Sequence, residues 1–314
     1  MSNILEDENI IAERFVQLLN NDNACWIGRI GGSDYSKVFE FLDKFSIDNN
    51  NLHIKFLNGY FDKSTSVNEQ KYNFIKFVVD IIESYKTMDL VSVATIGFIN
   101  YLIKDKKRID VLPVKTIFNY SFIEGIYPFL NSFKIWGKNK KILIVSPFSK
   151  SIQYQIHPDR INNLIKNYTF PNCEFITYQS LITYNAPFYD NTLVNKQTSG
   201  YNNFNEYVEK MCDDIHNIDF DIAFLSCGSY ALKIGNFIKN KMNKKAIYIG
   251  GCLNILFNIY GERYHTQGVY GREINNMQYN IKSLEQNEIL DENNIRKLEQ
   301  LNIKSEGFKA YFSL

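Results

Sequence analysis

The sequence predicts an α/β protein, with a mostly parallel sheet and helices on both faces. Three observations lead there. Apolar runs of strand length alternate with segments of helical period along most of the chain, the pattern that successive strand–helix–strand units produce. Several of those runs stop at glycine and restart as a helix: Trp26–Ile30 before Gly31-Gly32-Ser33-Asp34, Ile222–Leu225 before Cys227-Gly228-Ser229-Tyr230, and Ala246–Ile249 before Gly250-Gly251. The strand count, roughly seven or eight, suits one Rossmann-like domain.

The elements follow in order. Leu5, Ile10, Ile11, Phe15, Leu18 and Leu19 have helical spacing over 5–20, and Asn20-Asn21-Asp22-Asn23 ends that helix. Ala24–Ile30 reads as a strand, and Ser33 or Asp34 caps a helix with a stripe of Val38, Phe41, Leu42 and Phe45. His53–Leu57 is a second strand, Val67–Tyr85 a long helix, and Leu90–Ala94 another strand. The stretch from Ile109 to Trp136 has a mixed pattern and yields no assignment. Lys141–Val145 is a strand stopped at Ser146-Pro147-Phe148, followed by a helix over Ser151–Tyr168 and a strand over Glu174–Tyr178. Asn185–Phe204 has no periodicity and reads as a long loop of the kind that acts as a lid. A helix over Phe204–Ile215 leads into the last strand–helix–strand unit. Residues 1–270 are expected to form a single domain, with 271–314 a polar extension that includes a short helix near Glu292–Leu301.

Composition excludes several classes. A net charge of +1, from 35 basic and 34 acidic residues, lacks the basic bias of a nucleic-acid surface. No apolar run reaches the ~18 residues of a membrane span, and the acidic start Met1–Glu8 has no signal-peptide core. Five cysteines without CxxC spacing point to reduced thiols. The expectation is a cytoplasmic protein.

The turn after Ile30 carries the most chemistry. A strand that ends at two glycines exposes backbone N–H groups to an anion. Arg29 offers a planar fork to phosphate oxygens, and Asp34 is placed to hold a divalent cation bridging a diphosphate. The plain alternative is a tight turn with Asp34 as a helix cap. Ser146, Ser151 and Gln155 follow the strand at Lys141–Val145 and offer hydrogen bonds to a sugar or phosphate; alternatively they form a proline-led turn in which Ser151 caps a helix. Asp219-Phe220-Asp221 precedes its strand, which fits solvated charges better than a metal site. His53, His157, His216 and His265 lack zinc spacing. His157 and His265 lie near the candidate blocks as possible bases or as structural histidines. Cys227 and Cys252 read as small buried thiols. Tyr184, Tyr189 and Tyr201 in the long loop can stack on a sugar or base.

Arg29-Ile30-Gly31-Gly32-Ser33-Asp34 resembles the Arg-x-Gly-Asp-Gly-Glu segment of GT-D fold glycosyltransferases, whose Asp-x-Glu pair is associated with the metal and the nucleotide-sugar donor. The resemblance continues in Asn58-Gly59-Tyr60-Phe61, in Ser146-Pro147-Phe148 with Ser151, Ile152 and Gln155, and in Cys227-Gly228-Ser229-Tyr230. Gly250-Gly251 through Phe257 and Gly261-Glu262-Arg263 extend it, so that it spans roughly residues 24–263. One departure stands out: Gly32 occupies the position of the first carboxylate, and Asp34 is shorter than the Glu it replaces.

The resemblance implies transfer of a sugar from a nucleoside-diphosphate sugar, with a UDP-sugar as the expected donor, to a glycan or other hydroxyl acceptor in polysaccharide or glycoconjugate biosynthesis. It implies catalytic roles for Asp34 and Arg29 and a Mn²⁺ or Mg²⁺ ion at Asp34, while His265, by its place after the last block, and Asp34 are the candidates for the base. Donor binding falls to Gly31, Gly32, Ser33 and Asn58 in the first half of the chain. In the second half it falls to Ser146, Ser151, Gln155, Gly228, Tyr230, Gly250, Gly251 and Arg263. With one carboxylate missing, a metal-free route in which Arg29 or Arg263 neutralises the leaving group is a further expectation. The alternative is a non-catalytic nucleotide-sugar-binding module that kept the fold and lost the carboxylate pair. A methyltransferase or dehydrogenase is disfavoured by the missing GxGxxG and ribose-binding acid.

Overall fold

The computed structural model describes residues 3–5, 7–30, 60–93, 116–119, 121–124, 126–181, 198, 200–260 and 276–285. Its strands are β1 (Asn3–Leu5), β2 (Cys25–Ile30), β3 (Leu90–Val93), β4 (Thr116–Asn119), β5 (Lys141–Ser146), β6 (Glu174–Gln179), β7 (Ile222–Leu225) and β8 (Lys245–Tyr248). They form one eight-stranded sheet in the order β1-β4-β3-β2-β8-β7-β5-β6, and every neighbouring pair is parallel. The fold is Rossmann-like α/β, as the sequence predicts.

Helices cover both faces. Helix α1 (Glu8–Asn20) starts where Asp7 Oδ1 accepts from the N–H groups of Asn9 and Ile10 at 2.8 and 3.2 Å, satisfying donors that the first turn leaves open. It buries Ile11, Phe15, Leu18 and Leu19 against α4 (Tyr127–Trp136), which follows the short α3 (Ser121–Glu124). The same face carries α5 (Ser149–Gln155), α6 (Pro158–Ile161) and α9 (Cys252–Leu256). The opposite face carries α2 (Val67–Thr87), α7 (Phe204–His216) and α8 (Tyr230–Asn240). Connections that step toward β1 run through α2, α7 and α8; those that step toward β6 run through α1, α4 and α5. In the connections whose helices are described, chain direction and face are thus coupled in one hand, the rule for parallel crossovers.

Gly235 fixes how close α8 lies to the sheet. A Cβ there would meet the Trp26 ring at 2.4 Å, so only glycine lets the helix rest on that indole. Trp26 Nε1 donates to Ser84 Oγ at 3.2 Å, and Ser84 Oγ donates to the Leu232 carbonyl at 2.6 Å. Through this chain β2, α2 and α8 are bonded to one another inside the core.

Three expectations change. The first residues of the supposed 5–20 helix are preceded by strand β1, paired with Thr116–Phe118 across the sheet. The segment Ile109–Trp136, which gave no pattern, contains β4, α3 and α4. The single helix expected over Ser151–Tyr168 is two short pieces. Pro158 has no N–H to continue α5, and it holds His157 at φ −54°, ψ 140°, outside the helical region. The His53–Leu57 strand and the Glu292–Leu301 helix lie outside the described residues. Part of the polar extension is tied down: Ile281 forms a bridge with Ile259, and Ser283 and Glu285 are buried.

Candidate functional site

The turns singled out in the sequence follow β2, β5, β7 and β8, and these four strands are consecutive in the sheet as β2-β8-β7-β5. Because all are parallel, Arg29, Ser146, Gly228 and Gly250 lie at one edge. After β7 the chain leaves over the α8 face, while after β8 and β5 it leaves over the α9 and α5 face. Neighbouring strands that send their chain to opposite faces open a crevice beyond their carboxyl ends, where open α/β sheets bind ligands.

Two glycines shape this edge. Gly228 has φ 61° and Gly250 φ 63°, values that cost an L-residue roughly 1–2 kcal/mol. Each turn is bonded into its neighbour. Gly250 N donates to the Leu225 carbonyl at 3.1 Å and Ile249 N donates to the same oxygen at 3.0 Å. Ser226 Oγ donates to the Gly250 carbonyl at 2.7 Å, and the Tyr248 hydroxyl donates to the Gly228 carbonyl at 3.2 Å. The β7 and β8 turns therefore form one rigid unit.

Side chains alternate along a strand. Trp26 and Ile30 face α8, so Arg29 faces the α9 side, half-buried at the penultimate position of β2. Ser146 faces the same side by the same alternation; its buried Oγ accepts from Phe148 N at 3.1 Å and shapes the turn.

Other predicted residues have different employment. The Tyr230 ring is buried, stacked on Phe204 at 4.6 Å and edge-on to Tyr207, so it belongs to the aromatic core and not to a ligand face. Ser151 neither caps a helix nor faces a ligand. Its hydroxyl donates to Glu285, its N–H donates to Glu285 Oε1 at 3.0 Å, and Leu284 N donates to its oxygen at 2.9 Å. Gln155 Nε2 donates to the Tyr279 carbonyl at 2.8 Å, and its Oε1 accepts from Arg160 Nε at 2.9 Å. Both residues, fully buried, clamp the segment 276–285 onto α5.

Gly31, Gly32, Ser33, Asp34, Asn58, Arg263 and His265 lie outside the described residues, as does most of the predicted 185–204 loop. His157 caps α6 through Nδ1, which accepts from Asp159 N, and it is exposed. Asp219 pairs with Lys141 at 2.5 Å and Asp221 accepts from Lys141 N at 2.8 Å, both at the amino edge of the sheet. Burial pushes the Cys227 thiol above its usual range, which fits an inert small core residue.

One polar residue at the carboxyl edge was not singled out in the sequence. Asn254, in the first turn of α9, is 0% exposed, and neither its Nδ2 nor its Oδ1 has a hydrogen-bond partner among the described residues. The sequence signal was a lone amide inside the apolar run Cys252–Phe257.

Among the described residues no three His, Cys, Asp or Glu side chains gather to hold a metal ion, and no helix is long and apolar enough to cross a membrane. The chain matches no protein-family model, no curated protein and no solved structure.

Proposed function

We propose that this chain is a glycosyltransferase of the GT-D type that moves a sugar from a nucleoside-diphosphate sugar to a hydroxyl acceptor. The observation that carries this is the arrangement of the predicted turns. The four strands that precede the predicted turns, drawn from a stretch of more than two hundred residues, are consecutive in one parallel sheet, so their carboxyl ends share the edge at which open α/β sheets bind ligands. The two turns with positive-φ glycines bring bare backbone to that edge, which suits close approach of a diphosphate.

In this reading the developing negative charge on the leaving diphosphate is met by preorganised donors, the term that dominates many enzymes' rate enhancement. Arg29 supplies positive charge from the end of β2. Gly228 and Gly250 keep side chains out of the way of the phosphates. The described residues provide no donor set for a divalent cation. Asp34 and Arg263 are proposed to act as the resemblance implies, with Asp34 or His265 as the base.

The test is a thermal-shift series with UDP-, GDP- and dTDP-sugars, with and without Mn²⁺. At least one donor should raise the melting temperature; saturation at ~100 Kd is worth about 2.7 kcal/mol. Arg29→Ala should weaken the response. Absence of any response to these donors would overturn the proposal. Gly32 in place of a carboxylate favours a second possibility, a binding module without turnover. Donor binding with no transfer and no donor hydrolysis would select it.

A further inference from the structure

We propose that Asn254 is the side chain that recognises a polar group of the ligand in the carboxyl-edge crevice, and that its amide is left unsatisfied in the free protein for that purpose. The inference rests on the nucleotide-sugar reading above and gives a binding role to a residue inside the Gly250–Phe257 block to which the sequence reading gave none.

The first argument is energetic. A primary amide has two donors and an acceptor with two lone pairs, and burying these without partners costs free energy that a leucine of similar size would not. Native structures bond most of their buried polar side-chain atoms, so each exception needs a reason. Asn254 is such an exception on both atoms: it is 0% exposed, with Nδ2 and Oδ1 both lacking partners among the described residues. Its backbone is fully employed, with N–H donating to the Gly251 carbonyl at 3.1 Å and C=O accepting from Ile259 N at 2.8 Å. The backbone is therefore held in place while the side chain has no hydrogen-bond partner among the described residues.

The second argument is place. Asn254 follows the Gly250-Gly251 turn by three residues, in the helix α9 that comes after β8, the strand lying between β2 and β7. Cα–Cβ bonds in a helix tilt toward its N-terminus, which for α9 is the sheet's carboxyl edge. Its neighbours Cys252, Leu253, Ile255 and Leu256 pack into the core beneath. Arg29 stands on the same face at the end of the adjacent strand. A group offering a donor beside an acceptor, which both a nucleobase edge and a sugar diol present, would satisfy both ends of the amide at once.

The experiment uses the full chain. Wild type, Asn254→Leu and Asn254→Ala are compared by calorimetric binding of UDP and UDP-glucose, and by melting temperature without ligand. Asn254→Leu should melt no lower than wild type, since it removes an unsatisfied amide. Both variants should bind about ten-fold or more weakly, the loss expected for one or two buried hydrogen bonds. The alanine variant separates lost hydrogen bonds from obstruction by leucine. An equal deficit for UDP and UDP-glucose assigns the amide to the nucleotide; a deficit only with the sugar attached assigns it to the sugar. Wild-type affinity retained by either variant overturns the inference alone. So does a clearly lower melting temperature for Asn254→Leu, which would show the amide satisfied in the free protein. If wild type binds neither ligand, the nucleotide-sugar reading fails and this inference fails with it.

Discussion

The two edges of the sheet are built on different principles. At the amino edge polar groups are paired across elements. Asp89 accepts from Trp26 N at 2.9 Å and binds Lys239 at 2.8 Å, Lys239 also donates to the Thr87 carbonyl at 2.6 Å, and Lys244 and Lys245 each donate to a carbonyl at 2.6 Å. Asp219 and Asp221 tie the starts of β5 and β7 together. At the carboxyl edge the chain instead carries left-handed glycines and a buried amide with no partner among the described residues. The first edge holds the sheet in register; the second gives up stability where a ligand is proposed to bind. Changes at the amino edge should therefore move stability without moving ligand binding, and changes at the carboxyl edge should do the reverse.

The largest effect on stability is expected at high pH, and it spans both edges. Burial, reinforced by Asp89, pushes the Cys25 thiol at the amino edge up to about 12; burial does the same to Cys212, and raises Cys227 at the carboxyl edge. Unfolded thiols ionise near 9 while the folded protein keeps them protonated. Above that pH the unfolded state binds fewer protons, so stability falls as pH rises from about 9 toward 12. Denaturant titrations across this window should show the decline, and Cys25→Ala should make it shallower. A flat profile would show that these thiols are not held away from water.

Next comes Asp89→Ala. It leaves the partly buried Lys239 ammonium with the Thr87 carbonyl but no countercharge and removes the acceptor of Trp26 N–H, a loss of about 3 kcal/mol. Urea unfolding should show that loss, with the nucleotide-sugar thermal response unchanged in size. If the response disappears while the variant remains folded, the two edges are not separable. Gly235→Ala should cost about 2 kcal/mol, because the added methyl is driven into the Trp26 ring and overpacking outweighs the gain in helix propensity. A stable Gly235→Ala would mean that α8 can lift from the sheet.

The smallest change in stability is expected from Gly250→Ala, about 1 kcal/mol for a left-handed alanine. Its effect on binding should be the greatest of these substitutions, since it stiffens and fills the turn between β8 and α9. Unaltered binding by this variant would remove the β8 turn from the site.

Much of this contrast is legible in the sequence because it is local. A run such as Ile222–Leu225 followed by Cys227-Gly228-Ser229 announces both a buried strand and its exit, and parallel pairing then forces every such exit to one edge. The Asp219 and Asp221 charges were legible for the same reason, since they precede their strand. What could not be read depends on partners far away in sequence. Ser151 and Gln155 look like ligand-facing polar residues until Glu285 and Tyr279, 134 and 124 residues later, are found bonded to them. Strand β1 is three residues long and acquires its identity from pairing with β4, so the local pattern gave no strand there and drew Leu5 into the following helix. Tyr230 carries a motif position but is buried because α7 brings Phe204 and Tyr207 against it. Asn254 was overlooked because a single amide in an apolar segment has no periodicity of its own; it is noticeable only when its surroundings are known to be dry.

Hydrogen–deuterium exchange with and without a saturating nucleotide sugar tests the central claim most directly. Binding in the carboxyl-edge crevice predicts slowed exchange in peptides covering 226–232 and 248–256, with the amino-edge peptides around Asp89 and Asp219 unchanged. Protection confined to the amino edge, or a ligand that binds without slowing either carboxyl-edge peptide, would contradict it.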